Sequence, residues 1–103
     1  MTEVNNKAII VNVKDLSFKN EELVLDLIRF LSEALPHITL NRNGNDIDIE
    51  MPKKLSKRAI RLRIKKFLYR KGLHEEFRPI SFKTANNEGY TVKEKKAIQL
   101  SYY

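Results

Sequence analysis

The feature that most constrains the fold of this chain is a helical segment that carries positive charge only. Between Lys53 and Lys71 the sequence holds ten Lys or Arg residues and no Asp or Glu. Apolar residues recur in this segment at helical spacing and fall in one arc about 100° wide, which predicts a core-facing side. The residues of this arc are Ile60, Ile64, Phe67 and Leu68. Any fold of the chain must therefore bury one face of a helix whose other faces are crowded with like charges.

Charge is also divided unevenly along the chain. Residues 1–51 hold five Lys or Arg and nine Asp or Glu, a balance of −4, whereas residues 52–103 hold fifteen and four, a balance of +11. The two halves sum to the net charge of +7. A protein that needed positive charge only for solubility would scatter it, so this asymmetry indicates a directed surface that faces nucleic acid or an anionic membrane.

The limits of the basic helix are marked by its flanking residues. Ser56 is a predicted N-cap, and Leu55 and Ile60 have the spacing of a hydrophobic staple. Gly72 is placed to end the helix in the left-handed conformation that favours glycine. The sequence therefore predicts a helix from about Ser56 to Lys71.

Such a helix is costly unless it binds an anion. Each pair of like charges one turn apart destabilises a helix by roughly 0.2–0.5 kcal/mol, and each cation near the N-terminus costs about 0.3–1 kcal/mol against the helix dipole. Bound phosphates would remove both penalties. The candidate RNA-binding residues are Lys53, Lys54, Lys57, Arg58, Arg61, Lys65, Lys66, Arg70 and Lys71.

Two large side chains, Leu62 and Tyr69, are expected to project opposite the core between the basic rows. The Tyr69 ring has two interpretations at this stage: it stacks on an unpaired base or sugar, or it is an ordinary amphipathic surface residue.

The remaining pattern predicts an α+β domain of two layers, with the order β-α-β-β-α-β-β and two helices on one face of a mainly antiparallel sheet. We expect a single RNA-binding domain over residues 1–103, with residues 1–7 flexible. The other predicted elements are a strand at Ala8–Val13, a helix from Asn20 to Pro36, a hairpin of Ile38–Leu40 and Ile47–Ile49 around the turn 41–45, and strands at Phe77–Thr84 and Tyr90–Val92, the last of which can extend through Ala97–Tyr102.

The composition narrows the class of protein. The chain has no cysteine, which excludes disulfides and thiolate metal sites. No stretch approaches the roughly 18 apolar residues that a membrane-spanning helix needs, so we expect a soluble, cytoplasmic protein.

Catalysis is not predicted. His37 and His74 are far apart in sequence and lack the spacing of metal ligands. Asp46, Asp48 and Glu50 alternate along a strand, which favours the solvated face of a hairpin over a carboxylate cluster. The three glycines form no phosphate-binding motif. We therefore expect no catalytic residue, metal, cofactor or small-molecule substrate.

The stretch from Ser56 to Leu73, followed by Phe77 and Arg78, resembles the long basic helix of the eukaryotic-type large-subunit ribosomal protein twenty-two family. A Ser-Lys-Arg start, a central Lys-Lys-aromatic-Leu and a Leu after the helix recur in that family. The upstream hairpin and the downstream turn leading to Tyr90 come in the matching order, so the resemblance extends roughly from Ala8 to Lys93.

This resemblance implies the same strand and helix order and docking on ribosomal RNA of the large subunit, with neighbouring ribosomal proteins as further candidate partners. It also implies that family members hold structured RNA stem-loops. Lys57, Arg58, Lys65 and Lys66 match RNA-facing positions of the family, and Arg61 matches a basic position. Arg63 and Tyr69 depart from the family pattern. With a shorter hairpin and no acidic ending, the chain resembles a divergent or compact member.

The alternative is a non-ribosomal module that binds DNA or structured RNA. A helix in the major groove of DNA reads bases with Arg, Asn or Gln on its exposed face, and several of the nearest candidates here compete with the core arc. Binding to a membrane surface would need more large apolar residues than Leu62 and Tyr69.

Overall fold

Five strands form one mixed sheet, and three helices pack on one of its faces. The computed structural model describes residues 6–35 and 37–95. In chain order the elements of this described part are β1 (Asn6–Asn12), α1 (Lys14–Lys19), α2 (Glu21–Ala34), β2 (Thr39–Asn43), β3 (Asp46–Pro52), α3 (Lys57–Arg70), β4 (Phe77–Lys83) and β5 (Glu88–Glu94).

The strand order across the sheet is β2-β3-β1-β5-β4. Strand β1 runs parallel to β5, and the other three neighbouring pairs are antiparallel. The parallel pair depends on Gly89, because a Cβ at this position would lie 1.7 Å from the carbonyl oxygen of Ile10. Glycine alone permits so close an approach of two backbones. The hairpins β2–β3 and β4–β5 are thus joined through the central strand β1.

The helices cover the apolar face of the sheet. Along β3, Ile47, Ile49 and Met51 are buried, and the acidic residues between them point to the opposite face, as the two-residue period of a strand requires. Helices α2 and α3 contribute one buried stripe each to the same core cluster, and α1 contributes Leu16; the two stripes consist of Val24, Leu27, Leu31, Ile60, Ile64, Phe67 and Leu68. The prediction of a two-layer α+β fold with a mainly antiparallel sheet is confirmed.

The capping residues of α3 act as their sequence positions predict. The Ser56 hydroxyl accepts a hydrogen bond from the Ala59 amide at 3.3 Å. At the other end Gly72 has φ +71°, and the amide of Leu73 donates to the carbonyl of Leu68 at 2.7 Å, which closes the helix in a Schellman motif. The four residues of the predicted core arc are all buried.

One helix is absent from the predicted order. Between β1 and β2 the sequence predicts one helix, but the structure has two, because the six-residue α1 precedes α2. A helix this short shows no clear periodicity, and its only fully buried residue is Leu16. Asn20 separates the two: its amide donates to the carbonyl of Leu16, and its side-chain oxygen accepts from the amide of Glu22 at 3.0 Å.

Strand β1 begins within the segment 1–7 that the sequence predicted to be flexible. Its first residues are Asn6 and Lys7, which pair with Pro52 and Met51 of β3. The Asn6 amide also donates to the Glu50 carboxylate at 3.2 Å. Residues 1–5 lie outside the described residues.

The predicted turn between β2 and β3 is too long. The turn consists of Gly44, with φ +63°, and Asn45, since β2 continues to Asn43. Arg42 stays in the strand because it pairs with Ile47 across the ladder and its guanidinium binds the carboxylate of Glu21.

The last two strands also differ from their predicted limits. Strand β4 ends at Lys83, one residue before the predicted end, and β5 is longer than predicted at both ends. The predicted continuation through Ala97–Tyr102 lies outside the described residues.

Candidate nucleic-acid interface

The face of α3 that points away from the core carries four cations and two large apolar or aromatic side chains. We call this face the exposed stripe; it consists of the exposed residues Arg58, Leu62, Lys65, Lys66 and Tyr69, with the partly buried Arg61 at its edge. These positions are three or four residues apart along the helix, so their side chains are neighbours on its surface. Leu62 and Tyr69 are 48% and 69% exposed. The stripe is therefore an accessible surface that combines charged side chains with a large apolar and an aromatic side chain.

The cations of the exposed stripe are not neutralised by the fold. Among residues 6–35 and 37–95, no ion pair involves Arg58, Arg61, Lys65 or Lys66. Positive charge at neighbouring helical positions is unfavourable, and no acidic residue stands in the first turn to match the helix dipole. The stripe thus presents uncompensated positive charge along one side of α3.

Lys57 is the clearest exception among the predicted RNA-facing cations. Its ammonium donates to the hydroxyl of Ser81 at 2.9 Å and to the carbonyl of Phe82 at 3.5 Å. It also lies 4.9 Å from the centre of the Tyr90 ring and 3.9 Å from the carboxylate of Glu88. Only 22% of the side chain is exposed. Lys57 therefore ties the start of α3 to the hairpin β4–β5 instead of extending the exposed stripe.

The two predicted cations at the end of α3 face α2. The Lys71 ammonium binds the carboxylate of Asp26 at 3.0 Å and lies 5.8 Å from the ring centre of Phe67. The Arg70 guanidinium lies 5.7 Å from the ring centre of Phe30. These contacts give both residues a role in joining the two long helices.

Lys53 and Lys54 lie in the turn between β3 and α3, just before the cap Ser56. Both are exposed. They add positive charge beside the N-terminal end of α3, where free amide groups favour anions. Six of the nine predicted site residues take part in no ion pair or cation–π contact within the described part of the chain: Lys53, Lys54, Arg58, Arg61, Lys65 and Lys66.

Tyr90 of β5 supports the start of α3 and was not a predicted site residue. Its hydroxyl donates to the carbonyl oxygen of Lys57 at 3.2 Å, and the residue is 4% exposed. Burial raises the pKa of Tyr90 above its ordinary value, and the nearby guanidinium of Arg61 opposes that shift. No local pattern could reveal this contact, since the two residues are 33 positions apart.

A groove lies beside the exposed stripe, between the second half of α3 and the start of β4. Its volume is about 630 Å³ and its lining is mainly apolar. Lys65 and Lys66 stand at its edge together with Arg78 and Lys95, which the sequence did not single out for this site. Tyr69 lies at the same edge, and its ring centre is 4.5 Å from that of His74, with a tilt of 42°. The groove extends the basic surface beyond the helix.

The opposite face of the sheet is acidic where β3 crosses it. Each carboxylate of this strand accepts a hydrogen bond from an asparagine of a neighbouring strand: Asp46 from Asn12 at 2.9 Å, Asp48 from Asn43 at 2.8 Å and Glu50 from Asn6 at 3.2 Å. Within residues 6–35 and 37–95, no three His, Asp or Glu residues are grouped to hold a metal ion. Negative charge thus lies on the face of the sheet away from α3.

No helix in the described part of the chain has both the length and the apolar character needed to cross a membrane. No protein-family model matches this sequence, and no curated protein is significantly similar to it.

Proposed function

We propose that this chain is a structural, non-catalytic RNA-binding protein of the large ribosomal subunit. It holds ribosomal RNA through the exposed stripe of α3, with Lys53 and Lys54 at the helix start as further phosphate contacts. The observation that carries this proposal is the absence of any ion pair to the four stripe cations within residues 6–35 and 37–95, although the cations at both ends of the helix are engaged by the fold. The ribosomal assignment, and with it a cytoplasmic location, rests on the family resemblance of the Ser56–Leu73 segment.

The arrangement of charge suits a polyanion that is recognised by its backbone. Duplex RNA is bound mostly through its shape, its phosphates and its 2′-hydroxyls, because its deep major groove excludes side chains. From Arg58 to Lys66 the cations of the stripe span about 12 Å along the helix axis, at about 1.5 Å per residue. Its four cations are therefore spread over several phosphates instead of one. Acidic β3, on the other side of the sheet, disfavours binding in the opposite orientation.

The test is a comparison of a charge-neutral variant of the stripe with the wild type. The variant carries Arg58→Gln, Arg61→Gln, Lys65→Gln and Lys66→Gln. Each cation that touches a phosphate contributes about 0.7–0.9 to the log–log salt dependence of binding, so neutralising all four should reduce the slope by about 2.8–3.6. Affinity for stem-loops of large-subunit ribosomal RNA should fall steeply, and so should co-sedimentation with large subunits through a high-salt wash.

A matched control removes the same charge from elsewhere. Lys14→Gln, Arg29→Gln, Lys83→Gln and Lys93→Gln change four exposed cations that lie outside the stripe and, within the described residues, take part in no ion pair. This control should keep most of the affinity and the salt slope. Equal losses in the two variants would contradict a role for the stripe, and tighter binding to duplex DNA or anionic vesicles than to ribosomal stem-loops would contradict the ribosomal proposal.

A further inference from the structure

We propose that the groove between α3 and β4 receives a single unpaired nucleotide that projects from an RNA stem bound on the exposed stripe. This inference rests on the proposed RNA-binding function and adds to it a second, chemically different contact. It assigns the stripe to the phosphates of the stem and the groove to one extruded base.

The floor and wall of the groove suit a flat, partly apolar group. Leu68 and Phe77 are each 1% exposed and close the bottom, while Leu62 and Pro79 also line it. A volume of about 630 Å³ falls within the usual range for small-ligand sites, about 300–1,000 Å³. The groove is therefore large enough for a base.

The aromatic pair at the edge supplies a stacking platform. The Tyr69 ring packs against the His74 ring, with 4.5 Å between their centres. Tyr69 is nevertheless 69% exposed. The turn that carries His74 contacts the end of β5, because the Lys95 ammonium donates to the His74 carbonyl at 3.0 Å and the Lys95 amide donates to the Glu76 carbonyl at 2.8 Å. Bases without a pairing partner are commonly recognised by stacking on aromatic side chains, and every base offers a suitable face.

The charge of the groove favours a nucleotide over a cationic ligand. Four cationic residues line it, and none of the described residues of its lining is acidic. Two of the four, Lys65 and Lys66, also belong to the exposed stripe, so the two surfaces are continuous. A stem on the stripe would thus place a neighbouring unpaired nucleotide next to the groove, with its phosphate close to Arg78.

The experiment uses two hairpin RNAs with the same stem, one fully paired and one with a single bulged fluorescent adenine analogue that is quenched by stacking. Wild-type protein should bind the bulged hairpin more tightly by between about fivefold and about 150-fold, the effect of stacking one base on an aromatic ring. Its binding should also quench the analogue. Tyr69→Ala should abolish both the preference and the quenching, and Tyr69→Phe, which keeps the ring, should retain both.

Phe18→Ala is the matched control, because Phe18 is another exposed aromatic residue, 90% exposed, on helix α1 and is not part of the groove lining. It should leave the preference unchanged. Equal wild-type binding of the two hairpins, or a preference that survives Tyr69→Ala, would overturn the groove proposal and leave the stripe proposal standing. Failure to bind either hairpin would overturn both. Competitor RNA should displace the quenched analogue from the groove. If a leucine-rich acidic peptide displaced it at a lower concentration than the paired hairpin does, the groove would belong to a protein partner and the proposal would be overturned.

Discussion

Replacing Lys57 by methionine should destabilise the fold and leave RNA binding nearly intact, although Lys57 lies in the middle of the basic run. Methionine keeps the length and packing of the aliphatic stem but removes the ammonium. The substitution therefore eliminates the hydrogen bond to Ser81 at 2.9 Å and the cation that lies 4.9 Å from the centre of the Tyr90 ring.

The magnitude follows from these interactions. A cation over an aromatic ring at a partly desolvated site contributes about 0.5–2 kcal/mol. The Ser81 hydroxyl is exposed and regains water, so its hydrogen bond contributes about 0.5–1 kcal/mol, and the ion pair with Glu88 at 3.9 Å contributes close to nothing. Removal of a cation near the start of α3 returns about 0.3–1 kcal/mol through the helix dipole. The net loss lies between about 0 and 2.7 kcal/mol with a midpoint of about 1.4 kcal/mol, and this midpoint corresponds to a fall in Tm of about 5–11 °C for a domain of this size.

Lys65→Met is the matched comparison, because it makes the same chemical change on the exposed stripe. It should raise Tm by about 1–4 °C, because it relieves the repulsion with Arg61, and should lower the salt slope of RNA binding by about 0.7–0.9, the effect of one phosphate contact. Thermal unfolding and RNA titration at several salt concentrations, performed on both variants, measure the two effects independently. An unchanged Tm for Lys57→Met together with an RNA-binding loss equal to that of Lys65→Met would refute the assignment of Lys57 to the fold.

Two further predictions concern the pairing of β1 with β5 and the contact of Tyr90 in β5 with α3. Gly89→Ala should lower the free energy of unfolding by about 3 kcal/mol or more in a urea titration, because its Cβ would lie 1.7 Å from a backbone oxygen of β1. Gly44→Ala is the control, because a Cβ at position 44 meets no atom within 4 Å. It should cost only the strain of the left-handed backbone, about 1–2 kcal/mol. Because burial raises the pKa of Tyr90, its contribution to stability is complete below the ordinary tyrosine value of about 10 and is lost as pH rises through the folded-state pKa. In urea titrations at increasing alkaline pH, the stability of Tyr90→Phe should therefore fall less steeply than that of the wild type. Tyr69→Phe, which removes an exposed phenol, is the control and should fall as the wild type does. Equally steep falls for Tyr90→Phe and the wild type would contradict this prediction.

The elements that the sequence predicted well are those whose signals are local. The limits of α3 depend on Ser56 and Gly72, which stand next to the helix they end, and its buried arc follows from spacing alone. The alternation of β3 is equally local. The helix α1 has no comparable signal, because six residues cover less than two turns and only Leu16 is fully buried.

The role of Lys57 was missed for a different reason. Positions 57, 60, 64 and 68 lie three, four and four residues apart, so Lys57 belongs to the buried arc of α3 rather than to its exposed face. That signal was available in the sequence. The partners that satisfy its ammonium were not, since Ser81 and Phe82 are 24 and 25 residues away. The same holds for Lys71, whose partner Asp26 is 45 residues distant.

The groove could not be predicted from any single segment. Its edge combines Tyr69 of α3, His74 of the following turn, Arg78 of β4 and Lys95 after β5. These residues come together because β4 is an edge strand whose start lies beside the second half of α3. An aromatic residue between lysines is common on helix surfaces, so Tyr69 alone left both of its interpretations open.

The cations of α3 that form ion pairs contribute to the stability of the fold, whereas those without ion pairs reduce it. Lys57 and Lys71 hold the two ends of the helix, one to β4–β5 and the other to α2, and each has a carboxylate within 4.0 Å. Between them, Arg58, Arg61, Lys65 and Lys66 repel one another at a cost of roughly 0.2–0.5 kcal/mol for each adjacent pair. The two pairs at helical spacing, Arg58 with Arg61 and Arg61 with Lys65, together cost about 0.4–1 kcal/mol. This is small against the roughly 5–15 kcal/mol that stabilises a typical domain, so the fold tolerates the repulsion without a ligand. A bound polyanion would remove this repulsion in the folded state only, which couples RNA binding to a more stable α3.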